Sequence, residues 1–563
     1  MPGSQSFHAR GAIPRLPSFI ACAAIVVAAL AAWLAWSPLD ANDVVGGDEG
    51  YYGVMARNVL AAPRYLASPA QTPLGAPGDK PPLYPALLAL SMRALGVNAT
   101  ALRAPSIVSA GVIALVLAGI VYLAAGGAAA LAAALLLVAL PWFADASRVA
   151  AAELPLTALG ALAVAVIARD PRSTPRAIAA GAMLGAAFLC KLWLVAPLAL
   201  ACFAAAGAGG NDRAAPGAAT RVRVALVAAA LAVASLQLLA LALTDRADLP
   251  HWLGIYFGRS LLERAGGAGY AAYWLAPPGY YWAQLTHALL LVLPLAALGV
   301  ADAFRRWREP APRALLVWAA GVILLSLFRV KAGGYLYPVV PAWIGLAALG
   351  AAALARARSI AWWPLVAGAA LTSPPFAHLI AARDVPLPAW AAAWGGMFVV
   401  ALAARVRPRL SLALATAFVL LAAGAGLARE RARLPLRYHV PGYAAVATLA
   451  RPALGSLAPA RPAFVAPEAP ALAFLLFRTG DYWGTPIVPW SAERGRAVQA
   501  DTTLRVFVVD TTRTLYGGWP DDSTLAWLAR DTREITPELQ RLAPGSPLRM
   551  FVRAPAAIAP ARP

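Results

Sequence analysis

The sequence predicts an all-α polytopic membrane protein of about thirteen transmembrane helices, followed by a small soluble α/β domain. Three observations carry that prediction. The chain is 61% apolar and only 13% charged, with a mean hydropathy of +0.66. Ala- and Leu-rich runs of about 20 residues recur, the length that crosses a hydrocarbon core. Short arginine clusters separate those runs, as the bias of cytoplasmic loops toward basic residues requires. The net charge of +21 is therefore spread along the chain, and it argues for a membrane partner and against nucleic acid.

The apolar runs fall at 17–37, 106–124, 127–143, 154–168, 175–190, 192–207, 223–243, 281–300, 314–328, 337–354, 361–380, 389–404 and 410–428. The first follows Arg10 and Arg15. It is long for a cleaved signal peptide and many further runs follow, so it reads as an uncleaved span. With the N-terminus inside, the inner loops carry Arg169/Arg172/Arg176, Arg213/Arg221/Arg223, Arg305/Arg306/Arg308/Arg313, Arg356/Arg358 and Arg405/Arg407/Arg409. Only the tight inner loop near Gly126 lacks arginine. The segment 82–96 would reverse this order if it spanned, so it is expected as an amphipathic helix on the outer membrane surface. The long outer loops are then 38–105 and 244–280.

The division expected is 1–436 for the membrane part and 437–563 for the soluble domain on the outer side. In the latter, 462–466, 505–510 and 548–552 read as short strands, and 471–480 and 522–531 as helices. Glu468 and Asp510 end strands there and suit turns or caps. The three cysteines, Cys22, Cys190 and Cys202, lie in apolar runs without metal-ligand spacing.

Lysine is nearly absent. Of 47 Lys and Arg residues, the lysines are Lys80, Lys191 and Lys331, all expected on the outer rim. A compact ammonium differs from a planar guanidinium fork, so these positions suit contacts that need a point charge. Chance placement on one side is the alternative.

Four constellations surround them. Asp48 and Glu49 follow Gly-Gly at the outer end of the first span, with Tyr51 and Tyr52 next. One carboxylate can take a proton from an attacking hydroxyl and the other can orient it or hold a metal; the same pair also suits a helix N-terminus. Lys80 precedes Pro81-Pro82 and Tyr84, a stiff setting suited to a phosphate anion or to a snorkelling lysine. Arg148 and Glu153 flank the start of the fourth span, where an acid also caps a helix. Arg329, Lys331, Tyr335 and Tyr337 surround a Gly pair and suit an anion near the lipid surface. His251, Arg259, Glu263 and Arg264 sit among aromatics in the second long outer loop.

Taken together, DEGYY (48–52), KPPLYP (80–85), RAPS (103–106), RVAAAELPL (148–156), LCKLWLVAPL (189–198) and KAGGYLYPVVPA (331–342) resemble the GT-C glycosyltransferases, in particular the ArnT-like aminoarabinose transferases and the bacterial protein-mannosyltransferase-like enzymes of the Rgt type. The resemblance covers almost the whole chain. It implies a helical membrane fold with juxtamembrane helices in the first outer loop, a sugar donor on a polyprenyl phosphate, usually undecaprenyl phosphate, and inverting transfer on the periplasmic side of a bacterial inner membrane. It implies Asp48 as the base, Glu49 as its acidic neighbour and Lys80 as the contact to the donor phosphate. Lys331, Arg329 and Lys191 are expected to join that phosphate site. Tyr51, Tyr52, Tyr84, Arg148, His251, Arg259, Tyr335 and Tyr337 are expected around the substrates. Glu153 departs from the family pattern, which more often has Asp there. No cofactor is required, and a divalent cation is compatible with paired carboxylates. The acceptor class, whether lipid A, another glycolipid, a glycan or a protein, stays open. An envelope-glycan polymerase or ligase and a transporter or flippase are the rival functions; a transporter favours mid-span charges and inverted repeats, which the sequence does not display.

Overall fold

The structure, a computed structural model, describes residues 48–61, 80–208, 217–244, 246–267, 275–356, 362–381, 385–437, 445–446, 448–449, 463–466, 487–489, 504–510, 522–546 and 548–553. The expected first span at 17–37, Glu468 and the helix expected at 471–480 lie outside the described residues.

Helices dominate, and the protein is a multi-pass membrane protein. Among the described residues five helices are long and apolar enough to cross a bilayer, or eight if each bent pair is one span. Shorter apolar helices, Pro310–Ser326 and Val340–Arg356, occupy expected spans, and Leu83–Leu95 is helical where a surface helix was expected. Three expected spans are bent. The run 127–143 turns by 68° before Pro141, 361–380 by 48° before Pro374, and 281–300 by 111° just before Pro294. Each second half opens on a proline in its first turn, where the missing N–H costs nothing. Hydropathy alone reads through these bends, because proline barely changes it.

The continuous helical run Thr174–Ala205, 32 residues, would measure about 48 Å if straight, well beyond a hydrocarbon core. It instead folds back. Leu192 adopts φ +53° and breaks the helix after Lys191, and the Gly207 N–H donates to Pro171 O at 2.7 Å. The start and end of the run therefore lie together, and the two expected spans form an antiparallel hairpin.

Small residues let the helices touch. A Cβ on Gly181 or Gly185 would sit 2.2 Å from Leu226 O or 2.5 Å from Ala230 O. A Cβ on Gly299 or Gly350 would meet Leu346 O at 1.7 Å or Leu295 O at 1.9 Å. Such backbone approach is how helices pack where the solvent is lipid. Helix Ala99–Ala125 shows that the bundle has two distinct ends. Arg103 faces the first-loop helix Asp48–Ala61, whereas Arg306 donates to Ala124 O. Those points are roughly 30 Å apart along the helix. Arg306 and Arg356, from two of the expected inner loops, share Asp302 at that far end.

Toward the C-terminus a five-stranded sheet forms from β1 (Ala463–Ala466), β2 (Ile487–Pro489), β3 (Leu504–Asp510), β4 (Arg533–Glu534) and β5 (Leu548–Val552), in the order β2-β1-β3-β5-β4. The β1 pairings are parallel and those of β5 antiparallel. Helices Asp522–Asp531 and Thr536–Leu542 accompany it. The strands β2 and β4 are too short to announce themselves by alternation. Val506, Val508, Leu548 and Met550 share one apolar cluster with Tyr52, Met55, Tyr84 and Leu88. The sheet is thereby joined to the first-loop helix and to the surface helix Leu83–Leu95.

Candidate active site

Glu49 is the second residue of helix Asp48–Ala61. Arg103 holds its carboxylate with two parallel bonds, Nε to Oε1 at 2.9 Å and Nη2 to Oε2 at 3.0 Å. The Ala150 N–H donates to Oε1 at 3.0 Å. Both side chains are at most 3% exposed. A planar fork on a carboxylate is the strong, orientation-fixing form of ion pair. It fastens the first-loop helix to helix Ala99–Ala125 and to the segment before Glu153. Ser106 adds a second tie, its Oγ accepting from the Ala151 N–H at 3.1 Å. Asp48 opens the fastened helix; its side chain lies outside the described residues.

The tyrosines expected around the substrates divide by depth. Tyr52 and Tyr84 are fully buried and meet edge to face at 4.7 Å. The Tyr84 hydroxyl lies 3.3 Å from Ser106 Oγ. These two rings pack the surface helix against the first-loop helix. Lys80 Nζ lies 5.9 Å from the Tyr51 ring and 5.8 Å from the Tyr52 ring, a spacing at which ring faces attract a cation.

Glu153 opens helix Glu153–Arg169 and is buried. Its Oε1 accepts from Lys191 Nζ at 2.7 Å. Lys191 ends its helix at the strained Leu192, and strain of this kind costs about 1–3 kcal/mol. The reversal there turns Lys191 toward Glu153 and puts Leu192 and Trp193 on a cavity wall. Gly334 leaves room for the carboxylate, since a Cβ there would stand 3.0 Å from Glu153 Oε1.

Lys80, Lys191 and Arg264 line one cavity, together with Ser260, Tyr281 and Tyr335. Leu192, Trp193, Leu325 and Phe328 add apolar surface to the same lining. Arg264 donates to the Tyr335 hydroxyl and lies 5.4 Å above that ring. Lys191 Nζ lies 5.9 Å from the same ring. Glu153 pairs with Lys191, and Lys80 and Arg264 bring two further basic side chains to the cavity lining. Ser260 did not stand out in the sequence. Arg264 stands there among the charged residues of the second outer loop, and only the fold brings that stretch over Tyr335.

Other expected site residues lie elsewhere. Arg329 and Lys331 line a neighbouring cavity. Lys331 is buried and donates to Ala276 O at 3.1 Å and to Phe328 O. Burial, and secondarily Arg329, hold its ammonium below the usual lysine range. His251 and Arg259 are exposed and line neither cavity. Their segment buries Trp252, Ile255 and Tyr256, which turns them outward. Arg148 is buried after the short helix Pro141–Ser147. Tyr337 packs on Trp142 with ring centres 5.2 Å apart, outside the cavity wall.

Among the described residues no three His, Cys, Asp or Glu side chains come together, and Glu49 and Glu153 are each held by a cation.

Comparison with known proteins agrees with this geometry. Residues 79–235 match the profile of the dolichyl-phosphate-mannose-protein mannosyltransferases. That stretch contains Lys80, Arg103, Glu153 and Lys191. The structure matches ArnT from Cupriavidus metallidurans over 96% of this chain and 98% of that one, at 19% identity, with a TM-score of 0.59 for the apo state and 0.60 for the form bound to undecaprenyl phosphate. It matches the oligosaccharyltransferase AglB from Archaeoglobus fulgidus, solved with an inhibitory peptide and a dolichol-phosphate, over 88% of this chain and 69% of that one, at 14% identity and a TM-score of 0.51. The chain has the fold of the GT-C membrane glycosyltransferases.

Proposed function

We propose that the protein transfers a sugar from a polyprenyl-phosphate donor to a hydroxyl-bearing acceptor at the periplasmic face of a bacterial inner membrane. Residues 1–436 form the transferase and 437–563 an outer domain. The observation that carries this is the cavity lined both by Lys80, Lys191 and Arg264 and by Leu192, Trp193, Leu325 and Phe328. A phosphate on a hydrocarbon chain needs both, cations for its charge and apolar surface for its first isoprene units. The likeness to a protein solved with undecaprenyl phosphate supports the same donor class.

In this scheme the acceptor hydroxyl gives its proton to the Asp48 carboxylate as its oxygen bonds to the anomeric carbon. The bond from that carbon to the phosphate oxygen breaks, and the phosphate keeps the electron pair. Lys80 and Arg264 stabilise the charge that develops on the leaving phosphate, where preorganised donors act most strongly. Glu49 is a positioning residue: its carboxylate is spent on Arg103 and the Ala150 N–H, and it fixes the helix turn that carries Asp48. Glu153 orients Lys191. The acceptor is lipid A, another glycolipid, a glycan or a protein.

Asp48→Asn and Lys80→Ala each abolish sugar transfer in membranes that still contain the protein. Full activity of Asp48→Asn would overturn the base assignment. Cells lacking the protein accumulate the lipid-linked sugar it consumes, and mass spectrometry of their lipid extract identifies the donor.

A further inference from the structure

Arg329 and Lys331 sit one residue either side of Val330, and the three residues are divided between two cavities. The backbone at 329–330 bends and is held on both sides. The Arg329 N–H donates to Arg264 O at 3.2 Å, and the Val330 N–H donates to the same oxygen at 3.0 Å. The Ala276 N–H donates to Arg329 O at 3.2 Å, and Leu275 and Val330 form an antiparallel bridge. Val330 faces the cavity of Lys80, Lys191 and Arg264, whereas Arg329 and Lys331 face the second, beside Ala276, Pro277 and Leu327. Phe328 borders both cavities.

The second cavity holds two like charges without a balancing acid. Among the described residues neither Arg329 nor Lys331 forms an ion pair, and the Lys331 ammonium is fixed by the carbonyls of Ala276 and Phe328. Lys331 is buried and Arg329 is exposed, and a buried cation without a charged partner is costly unless an anion joins it. The surroundings indicate which anion. Below the cavity, Ile323 and Leu327 lie four residues apart on one helix face and are 66% and 71% exposed. An apolar stripe leading to a pair of cations suits an acyl chain ending in a phosphate.

We propose that Arg329 and Lys331 form a second lipid-phosphate site, separate from the donor cavity, that takes the phosphate headgroup of an anionic membrane lipid. It rests on the assignment of the first cavity to the donor only for its name. The chemistry is shared by a phosphate-bearing acceptor glycolipid and by a bulk anionic phospholipid.

The test is lipid binding to the full-length protein in detergent, read by native mass spectrometry with three probes: phosphatidylglycerol, a lipid A bearing its phosphates, and undecaprenyl phosphate. Arg329→Ala weakens the phosphate lipids of the second site by about tenfold, the value of one charge-assisted contact, and leaves undecaprenyl phosphate binding intact. Lys80→Ala shows the converse. Loss of lipid A alone assigns the site to an acceptor; loss of phosphatidylglycerol as well assigns it to bulk lipid. Arg329→Lys retains binding and Arg329→Glu removes it, which separates charge from folding. The inference is overturned if Arg329→Ala leaves both phosphate lipids bound as in wild type, or if it releases undecaprenyl phosphate to the same degree. Failure of undecaprenyl phosphate to bind the wild type would instead count against the donor assignment and leave the second site standing.

Discussion

Two buried carboxylates, Glu49 and Glu153, are held by cations of different kinds. Arg103 grips Glu49 through a two-point fork that is sealed from solvent. Lys191 meets Glu153 through a single 2.7 Å bond and lies on the wall of the cavity proposed for the donor phosphate. Guanidinium fits a carboxylate plane and fixes its orientation, whereas an ammonium is a rotatable point charge. The first pair is built to stay closed. The second leaves a cation on the cavity wall. The nearly lysine-free composition is consistent with this division, since each of the three lysines borders a cavity while arginine does the structural pairing around Glu49.

Removing Arg103 breaks that contrast most severely. Arg103→Ala leaves a buried carboxylate unpaired, and thermal unfolding in detergent shows a loss of about 3–5 kcal/mol. Arg103→Lys recovers little of it, because an ammonium cannot make both bonds. If Arg103→Lys is as stable as wild type, the fork is not what fastens the first-loop helix.

Glu153→Gln is expected to change activity more than stability. It leaves a donor-acceptor contact to Lys191 but removes the charge, so unfolding shifts by about 1–3 kcal/mol while kcat falls about tenfold or more as Lys191 loses its orientation. Glu153→Asp shortens the reach by about 1.5 Å and falls between the two. Equal loss of stability and activity in Glu153→Gln would make this pair as structural as the first.

Gly334→Ala places a methyl 3.0 Å from Glu153 Oε1, so the carboxylate shifts by a few tenths of an ångström. A fewfold drop in kcat with an unchanged melting temperature is expected, because positioning errors at a reacting site reach beyond their stability cost.

The smallest effect tests burial itself. Arg549 and Glu534 on the sheet pair through the same two-point fork, at 2.9 and 2.8 Å, yet each is 36% exposed. Arg549→Ala costs at most about 1 kcal/mol. A loss comparable to that of Arg103→Ala would mean that geometry, and not burial, sets the strength of these pairs.

The sequence by itself determined the class of the fold, most of the apolar runs, the strands read at 462–466, 505–510 and 548–552, and the gathering of the three lysines at one end of the bundle. It did so because hydropathy, strand alternation and charge asymmetry are local, and each is written within about 20 residues. The prolines at 141, 294 and 374 were legible too, although hydropathy does not register the bends they permit. Only the tertiary structure decided which rim residues share a cavity. Glu49 finds Arg103 54 residues away and Ala150 101 away, a pairing no local pattern encodes. Arg264, one arginine among many, reaches Tyr335 across 71 residues. Arg329 and Lys331 belong to the same motif as Tyr335, yet they line the neighbouring cavity while Val330 and Tyr335 line the first. Proximity in sequence does not fix direction in space, and residues expected at one site are divided between two cavities.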